Sequence, residues 1–294
     1  GGVILFDRNM ESPEQVKQLT SDLQAQSNEK VPLFIGIDEE GGDVVRMAEK
    51  LTPPPSQKEI GATGDIEQAK TWAIKTAKSL KDMGINVNFA PVADVGSNDK
   101  RSYSTDTNTV IDFVRAATKG YQQENIIYSL KHFPGIGKGR VDSHVDSSSI
   151  DVTKGILMAE DIIPFKTIID ENEPNDYFIL VSHLKYLALD EEYPASLSSK
   201  IMTDLLRNEL GYKGIIITDD MEMGAVANHN DFRSIGVKAV KAGADIVLVC
   251  HEYKHQQEVY LGLLDAVNSG EISQERIDES VKRIIKVKLL HLYQ

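Results

Sequence analysis

The sequence has very little cysteine and no long apolar run. Its one cysteine, Cys250, excludes an intrachain disulfide, and no apolar stretch reaches the ~20 residues that a membrane-spanning helix needs. Cys250 closes the apolar run 246–249, which favours a buried strand thiol that packs as a small hydrophobe. A catalytic thiol would need a base beside it, and the adjacent His251 would point to the opposite face of a strand.

Basic residues are also scarce. The chain of 294 residues carries 32 Lys and Arg against 45 Asp and Glu, a formal net charge of −13. This charge argues against nucleic acid or an anionic membrane surface as a partner, because both repel an acidic protein. The hydrophobic fraction of 41% is sufficient for a full core, and the length suits a single α/β barrel.

Short apolar runs alternate with longer amphipathic segments along the chain. The predicted strands are 3–6, 31–37, 85–92, 128–133, 177–182, 214–218 and 244–250. Helical spacing of apolar residues predicts helices that include 12–26, 66–83, 106–124, 199–210, 231–242 and 273–290. Near-continuous apolar strands that alternate with helices are typical of a parallel sheet covered by helices.

Polar residues of chemical interest recur where the predicted strands end, which favours a closed TIM-type (β/α)8 barrel over an open doubly wound sheet. A barrel brings all the carboxyl ends of its strands to one mouth, whereas an open sheet spreads them along an edge. A closed barrel has eight strands and seven are predicted, so we expect a first strand and helix upstream of residue 1. No repeat or linker divides the chain, which predicts one α/β domain over residues 1–294.

The apolar run 215–217 leads directly into Asp219 and Asp220. A carboxylate at the end of a buried strand is costly unless a reaction or a hydrogen bond uses it. One aspartate suffices to cap a following helix, a role that Asp220 can fill. The position at a strand end therefore favours Asp219 as a catalytic carboxylate.

A glycine-rich loop follows the predicted strand 128–133 and carries Asp142, Ser143 and His144. The spacing allows Asp142 to accept a hydrogen bond from one imidazole nitrogen of His144 and to turn the other nitrogen towards a substrate. A surface turn with a solvated histidine is the alternative. The loop matches neither the Walker pattern nor G-x-G-x-x-G, so a nucleotide-binding fold is not supported.

Two further groups of polar residues lie at predicted strand ends. Lys131 and His132 close one strand, and two such donors at a buried strand end suit the binding of sugar hydroxyls or of a phosphate. Asp38 opens the run Asp-Glu-Glu-Gly-Gly, where a carboxylate on a sugar diol is favoured over a metal site, because consecutive acids do not readily all face one ion. Arg101 lies in a polar loop, and a solvated arginine is its alternative.

These residues resemble glycoside hydrolase family 3, and within it the single-domain bacterial β-N-acetylglucosaminidases of cell-wall recycling. The similar segments follow the family order along essentially the whole chain. They are GGVILFDRN, GIDEEGGDVVR, INVNFAPVADV, RSYSTD, KHFPGIG, DSH, PASLS, GIIITDDMEM, AGADIVL and RIDESVKRI. The combination is specific, although no single segment is.

The resemblance implies a catalytic barrel domain of the family's N-terminal type over residues 1–294. It also implies that Asp219 is the nucleophile and that His144 is the general acid/base, held by Asp142. The residues that would contact the sugar in the −1 subsite are Asp38, Arg101, Lys131, His132 and, on the shorter match VSHLKYLALD, His183.

The implied activity is retaining exo-hydrolysis of a terminal β-linked N-acetylglucosamine, as in muropeptide fragments, with no metal or other cofactor. The alternatives are a phosphorylase that uses phosphate in place of water, a β-glucosidase, a metal-dependent barrel hydrolase, and a barrel that binds sugar without catalysis. We expect a cytoplasmic protein. The cell envelope or secretion is the alternative, because family members occur in both places.

The chain departs from the family pattern at a few loop positions. It has Ile136 where the family often has His, Asp43 where it often has Arg, and Lys138-Gly139 where Asp-Thr is usual. None of these changes removes a catalytic group. They leave the shape of the loop and the preferred aglycone open.

Overall fold

The computed structural model describes residues 1–27, 31–46, 51–96, 100–139 and 149–293. Its strands are β1 (Gly2–Leu5), β2 (Phe34–Ile37), β3 (Val87–Asn88), β4 (Ile127–Phe133), β5 (Ser149–Ile150), β6 (Tyr177–Val181), β7 (Lys185–Tyr186), β8 (Ile215–Asp220) and β9 (Ile246–Leu248). Seven of them form one parallel sheet in the order β1-β2-β3-β4-β6-β8-β9. The short strands β5 and β7 pair separately. Each of the seven predicted strand regions overlaps a strand of the large sheet.

Helices occupy the connections between the strands. They are α1 (Pro13–Gln26), α2 (Gln57–Ala62), α3 (Ile66–Asp82), α4 (Thr107–Gln123), α5 (Lys154–Ile156), α6 (Ile163–Glu171), α7 (Gly224–Ala227), α8 (Phe232–Ala242), α9 (Tyr253–Asn268) and α10 (Gln274–His291). Two segments, Leu157–Asp161 and Lys200–Glu209, are π-helical, and Asp7–Asn9 and Ala195–Leu197 form 3-10 turns. In the part of the chain that the structure describes, no helix is both long and apolar enough to cross a membrane.

Side chains in the sequence set several helix starts. Ser12 caps α1 through a main-chain N–H of the first turn, and Pro13 follows at the first helical position, where its missing N–H costs nothing. Asp106 caps α4 and Ser273 caps α10 in the same way. Each cap satisfies one of the main-chain donors that a helix start leaves open, and each lies where the sequence predicted a helix to begin.

The strands are buried on both faces of the sheet. On β6, Phe178 and Leu180 lie in a small apolar cluster with Val287 of α10. The alternate residues Ile179 and Val181 lie in the large apolar cluster that the other helices cover. Successive strand residues point to opposite faces, so burial on both faces explains the near-continuous apolar runs of the sequence.

The sheet curls so that its two outer strands approach each other at their carboxyl ends. The Arg8 guanidinium, after β1, donates to the Cys250 carbonyl, after β9, at 2.9 Å. The rings of Phe6 and His251, from the same two strand ends, lie 5.2 Å apart. Residues from all seven strand ends line one cavity, and the prediction of an α/β barrel-type fold is confirmed.

Further from this mouth, an apolar groove of about 670 Å³ separates β1 from β9. Within the described residues, β1 pairs with β2 and β9 pairs with β8. The residues that line the groove come from both strands and from α9 and α10, and include Val3, Ile246, Val259 and Ile284. The further strand and helix expected upstream of residue 1 stay a prediction.

A buried group of charges ties α10 to the amino ends of β8 and β9. The carboxylate of Asp245, directly before β9, accepts hydrogen bonds from the Ser280 hydroxyl at 2.6 Å and from the Arg283 guanidinium at 2.9 Å. It also accepts from a main-chain N–H of β8 at 3.0 Å and from Arg207, and Arg276 lies beside it. Asp245, Arg207, Arg276 and Arg283 are called the amino-end cluster below.

Candidate active site

A polar pocket of about 340 Å³ opens at the mouth formed by the strand ends. The predicted site residues that line it together are Asp38, Arg101, Lys131, His132 and Asp219. They come from loops and strand ends that are far apart in the sequence. The carboxyl ends of the parallel strands bring them into one cavity, as the barrel prediction requires.

Irregular strand pairing occurs next to the polar side chains of the pocket. The register between β4 and β6 shifts across Lys131 and His132. The register between β8 and β9 shifts between Ile217 and Asp220, a stretch that includes Asp219. Such bulges break the regular alternation of strand side chains and re-aim them, which is common beside active sites.

Lys131 lies at the centre of a buried ionic network. Its ammonium nitrogen is 2.6 Å from Asp38 Oδ1 and 2.5 Å from Glu40 Oε1. Arg101 donates to both carboxylate oxygens of Glu40, at 2.8 Å each. Asp38, Glu40, Arg101, Lys131 and His132 are called the carboxyl-end cluster below.

Charge pairing outweighs burial in the carboxyl-end cluster. Burial alone would raise the pKa of the Glu40 carboxyl, but the charges of Lys131 and Arg101 hold it well below its usual range. Burial would lower the pKa of the Lys131 ammonium, but Asp38 and Glu40 raise it above its ordinary value. Both groups are ionised at neutral pH, so the pocket keeps fixed charges to which sugar hydroxyls can hydrogen-bond.

Glu39 belongs to the same acidic run but faces the main chain. Its carboxylate accepts a hydrogen bond from the N–H of Arg46 at 2.7 Å. Burial raises the pKa of Glu39 to about 7, against the opposing effect of that hydrogen bond. Two of the three consecutive acids thus face Lys131, and the third supports the loop behind them.

Glycine allows the chain to turn sharply after this acidic run. Gly41 and Gly42 have φ angles of 108° and 60°, which lie in the left-handed region that favours glycine. A Cβ on Gly41 would lie 2.2 Å from the carbonyl oxygen of Pro55. The close turn holds the preceding carboxylates at the end of β2.

His132 is held by a carboxylate from a neighbouring loop. Its Nδ1 lies 2.7 Å from Asp94 Oδ2, and its Nε2 lies 2.9 Å from Arg101 Nη2. Asp94 Oδ1 also accepts hydrogen bonds from the main-chain N–H groups of His132 and Ile136, at 3.1 and 2.9 Å. Sequence reasoning missed this role of Asp94 and the pairing role of Glu40. The one signal for Asp94 was its position after a predicted strand.

Asp219 presents a half-buried carboxylate at the end of β8. Its Oδ1 accepts a hydrogen bond from the main-chain N–H of Asp220 at 2.8 Å. Burial would raise the pKa of Asp219, but neighbouring histidine and lysine side chains, His183 first among them, lower it below its ordinary value. The carboxylate is ionised at neutral pH, which its predicted role as a nucleophile requires.

Asp220 fixes the strand end behind Asp219. Its Oδ1 accepts hydrogen bonds from the main-chain N–H groups of Glu222 and Cys250, at 3.1 and 3.2 Å. Its Oδ2 lies 3.1 Å from Nε2 of His251. Burial and then Asp220 raise the pKa of the Cys250 thiol, which makes that thiol a poor nucleophile.

His183 lies next to the strand end that carries Asp219 and is only 2% exposed. Its Nδ1 is 2.7 Å from the Ser196 hydroxyl, and its Nε2 is 2.8 Å from the main-chain carbonyl of Asp220. Burial lowers the pKa of His183. Because these contacts occupy both ring nitrogens and His183 is not among the described residues that line the pocket, its contact with the sugar stays a prediction.

Asp142 and His144 lie outside the described residues. The structure describes their loop up to residue 139, and this part is well anchored. The Tyr186 hydroxyl, for example, donates to the carbonyl of Gly135 at 2.8 Å. The roles of Asp142 and His144 stay predictions from the sequence.

The carboxylates of the pocket face cations of the protein. Asp38 and Glu40 share the ammonium of Lys131, and Arg101 covers the other side of Glu40. Over the described ranges, no group of three His, Cys, Asp or Glu residues is arranged to hold a metal ion.

Comparison with known proteins gives consistent matches. The model of the glycosyl hydrolase family 3 N-terminal domain matches residues 1–287. Beta-hexosaminidase A of Pseudoalteromonas piscicida is 35% identical, over 98% of this chain and 53% of its own length. Beta-hexosaminidase of Nitrosomonas eutropha is 32% identical, over 96% of this chain and 83% of its own length.

A solved structure of a glycoside hydrolase family 3 beta-N-acetylglucosaminidase from Paenibacillus sp. has a TM-score of 0.95 and 37% identity, and the match covers 99% of this chain and 57% of that chain. The chain thus spans about half the length of the Pseudoalteromonas and Paenibacillus relatives. Because the family match covers nearly the whole sequence, the chain belongs to glycosyl hydrolase family 3, in the N-terminal domain of that family.

Proposed function

We propose that this domain carries the active site of a retaining exo-β-N-acetylglucosaminidase, which removes a terminal β-linked N-acetylglucosamine. The observation that carries the proposal is the ionised carboxylate of Asp219 at the end of β8, inside a pocket lined with charged groups from neighbouring strand ends. The relatives named beta-hexosaminidase support the choice of sugar.

In the proposed mechanism, Asp219 attacks the anomeric carbon and the bond to the aglycone oxygen breaks. The leaving oxygen takes a proton from His144, and a glycosyl ester with Asp219 forms. Water then attacks the same carbon and gives a proton back to His144, and Asp219 leaves as a carboxylate. Two inversions restore the β configuration. Asp142 keeps the imidazole in the required tautomer.

The charges of the pocket suit a transition state with cationic character at the anomeric carbon. The pocket is lined by the carboxylates of four residues and by three permanent cations, which are Asp38, Glu40, Asp219 and Asp220 and then Arg46, Arg101 and Lys131. The excess of negative charge stabilises a developing oxocarbenium ion. The paired groups also offer charge-assisted hydrogen bonds to sugar hydroxyls, which are stronger than neutral ones.

Phosphate in place of water is the main chemical alternative. Two carboxylates already neutralise Lys131. The Lys138 ammonium lies 2.5 Å from Asp161 and 3.0 Å from Glu160, so it too is paired. An incoming phosphate dianion would meet neutralised cations and several carboxylates, and we therefore propose hydrolysis. Turnover with and without phosphate, with an assay for the sugar 1-phosphate, tests this choice.

The wider context is also a proposal. We propose that residues 1–294 form the catalytic domain of the protein. The resemblance to enzymes of cell-wall recycling leads us to propose muropeptide fragments as substrates and the cytoplasm as the location. Paired aryl glycosides that differ only in the 2-substituent test the preference for N-acetylglucosamine over glucose.

Asp219→Ala and Asp219→Asn test the central claim with an aryl β-N-acetylglucosaminide as the substrate. We expect a loss of about 10³-fold or more in kcat, the scale reached when an enzyme loses its nucleophile. Azide should restore cleavage by Asp219→Ala and give the α-glycosyl azide, because a small anion can occupy the space of the lost carboxylate. Retention of more than a tenth of the activity would show that another group attacks.

A matched control separates loss of the nucleophile from a general effect of charge. Asp265 is exposed on α9, and Asp265→Asn removes the same charge far from the pocket. We expect this variant to keep its kcat within twofold.

A barrel that binds sugar without catalysis would bind N-acetylglucosamine in calorimetry and show no turnover even in the wild type.

A further inference from the structure

Asp94 is a buried carboxylate that joins three parts of the site. It follows β3 and is 1% exposed. Its side chain contacts the His132 ring and the main-chain N–H groups of His132 and Ile136. Its main-chain carbonyl accepts a hydrogen bond from the Ser102 hydroxyl at 2.6 Å, and Ser102 adjoins Arg101. Asp94 is therefore in contact with the loops after β3 and β4 at the same time.

The neighbours of His132 select one tautomer of its ring. A guanidinium has N–H donors and no acceptor, so Arg101 Nη2 must donate to His132 Nε2 across their 2.9 Å contact. In the neutral ring, the proton then lies on Nδ1, which is 2.7 Å from Asp94 Oδ2. A ring protonated on Nε2 would set two donors against each other and turn a lone pair towards a carboxylate.

This tautomer in turn orients Arg101. The Nη2 that contacts His132 also donates to Glu40 Oε1, while Nε donates to Glu40 Oε2. The two hydrogen bonds to Glu40 fix the plane of the Arg101 guanidinium. The hydrogen bond from Nη2 to the lone pair of His132 Nε2 fixes the rotation of the group within that plane. A displacement of about 1 Å in such a group is enough to cost about 10²-fold in rate.

We propose that Asp94 is a positioning residue of this active site. It selects the Nδ1–H tautomer of His132, and through His132 it holds Arg101 in the orientation that binds the sugar. The effect of Asp94 on rate rests on the proposed glycosidase function. The tautomer itself is a property of the free protein and can be measured without a substrate.

Asp94→Asn separates the contacts of Oδ1 with the main chain from the contact of Oδ2 with the His132 ring. The amide oxygen can still accept the main-chain N–H groups of His132 and Ile136, so these anchors are kept. The amide nitrogen replaces Oδ2 and presents a donor to His132 Nδ1. The ring must then carry its proton on Nε2, and it faces Arg101 with a donor instead of an acceptor.

Tyr186→Phe is the matched control for loosening of the loop. It removes the hydrogen bond to the Gly135 carbonyl, another anchor of the segment after β4, and leaves the contacts of His132 in place. We expect this variant to keep the wild-type tautomer. Its kcat/KM should fall by less than that of Asp94→Asn.

Nitrogen-15 NMR of the imidazole nitrogens reads the tautomer, and a His132→Gln sample identifies the His132 signals. We expect Nδ1 to be protonated in the wild type and Nε2 in Asp94→Asn. We expect kcat/KM of Asp94→Asn to fall by about 10²-fold, below the about 10⁴-fold loss in kcat that the corresponding Asp→Asn change causes in the serine protease triad.

Three results would overturn the proposal. They are a wild-type ring protonated on Nε2, an Asp94→Asn variant with kcat/KM within twofold of wild type, and an equal loss in Tyr186→Phe. The wild-type spectrum decides the tautomer even if Asp94→Asn does not fold. A wild type that has the Nδ1–H tautomer but cleaves no N-acetylglucosaminide refutes the proposed function, and with it the effect of Asp94 on rate, but leaves the tautomer assignment in place.

Discussion

The two ends of the sheet bury charge in different ways. In the amino-end cluster, three guanidinium groups surround the carboxylate of Asp245, whose side chain is 0% exposed. In the carboxyl-end cluster, two cations pair with two carboxylates, and the side chains of Asp38 and Arg101 are 21% and 22% exposed. Asp245 borders the apolar groove between β1 and β9, but its carboxylate is closed off by protein donors. The carboxyl-end cluster instead exposes its charged side chains to the polar pocket.

The difference shows that geometry decides what a buried ionic group does. Desolvation offsets much of the attraction in any buried pair, so burial alone is weak evidence for stabilisation. Asp245 gains a main-chain donor, a hydroxyl and guanidinium groups, and it ties α10 to β9. Asp38 keeps hydrogen-bonding capacity on its pocket side, which a substrate can use. One chemical change, carboxylate to amide, tests this contrast at five positions.

The largest effect is expected for Asp245→Asn. The amide keeps the shape of the side chain but removes the buried counter-charge that three guanidinium groups share, and Glu279, 4.0 Å from Arg283, is a half-exposed partner. Removing one partner of a buried ionic group costs about 3–5 kcal/mol, and we expect a loss of that size in the free energy of unfolding. Urea unfolding followed by circular dichroism measures it. A loss below about 1 kcal/mol would place the amino-end cluster among ordinary surface pairs.

Glu39→Gln should have the next largest effect, and its effect should depend on pH. The pKa of Glu39 is about 7 in the folded protein against an ordinary 4.5. The folded state binds this proton more tightly than the unfolded chain, so the contribution of Glu39 to stability falls as pH rises from about 4.5 to about 7. That interval corresponds to about 3 kcal/mol. Glu39→Gln should therefore be more stable than wild type above pH ~8 and similar below pH ~4.

The neighbouring Glu40 provides a control, because its substitution should change the free energy of unfolding in the opposite direction. Its folded pKa is lowered, because Lys131 and Arg101 outweigh burial, so its stabilising contribution is present above its unfolded pKa. Glu40→Gln should therefore lower stability at neutral pH, where Glu39→Gln raises it. Unfolding free energies of wild type and both variants, measured from about pH 4 to about pH 9, test this difference in sign. The same sign for both variants would contradict the assigned environments.

The sequence alone was sufficient to predict the strands and the carboxylates at their ends, because both follow local patterns. Strands buried on both faces appear as apolar runs, and a carboxylate such as Asp219 at the end of one run indicates a barrel mouth. The amino-end cluster could not be predicted from the sequence. Arg207 and Arg283 contact Asp245 from elements that are distant in the sequence, and no local pattern indicates such a contact. The helix Tyr253–Asn268 is not among the helices named from the sequence.

In the candidate site, too, the positions of residues could be predicted but their contacts could not. Asp38, Lys131 and His132 were predicted because each lies at the end of an apolar run, and all line the pocket. Their pairing could not be predicted. Whether Lys131 faces a substrate anion or two protein carboxylates depends on the three-dimensional meeting of β2 and β4. For the same reason, the sequence places Asp94 shortly after a predicted strand but does not show its contact with His132.

Asp38→Asn is expected to lower activity, and to lower stability less than Asp245→Asn does. The amide oxygen still accepts from Lys131, but one of the two carboxylate charges that face Lys131 and Arg101 is lost. We expect the free energy of unfolding to fall by about 1–2 kcal/mol, because the Asp38 side chain is partly exposed to the pocket. The loss of a charged acceptor for a sugar hydroxyl should lower kcat/KM by about 10- to 100-fold. Kinetics with an aryl N-acetylglucosaminide and urea unfolding measure the two effects. A stability loss equal to that of Asp245→Asn would remove the distinction between the clusters.

Glu171→Gln should have the smallest effect, and it is the surface reference against which the other four changes are compared. Arg115 on α4 donates to both carboxylate oxygens of Glu171 on α6, at 2.7 and 2.9 Å, so the pairing geometry is as good as in either buried cluster. The side chains are 30% and 41% exposed, however, and water can replace either partner. We expect a loss of less than about 1 kcal/mol that shrinks with added salt, with kcat/KM unchanged. A larger loss that persisted at 1 M salt would mean that pairing geometry, rather than closure from water, distinguishes the amino-end cluster.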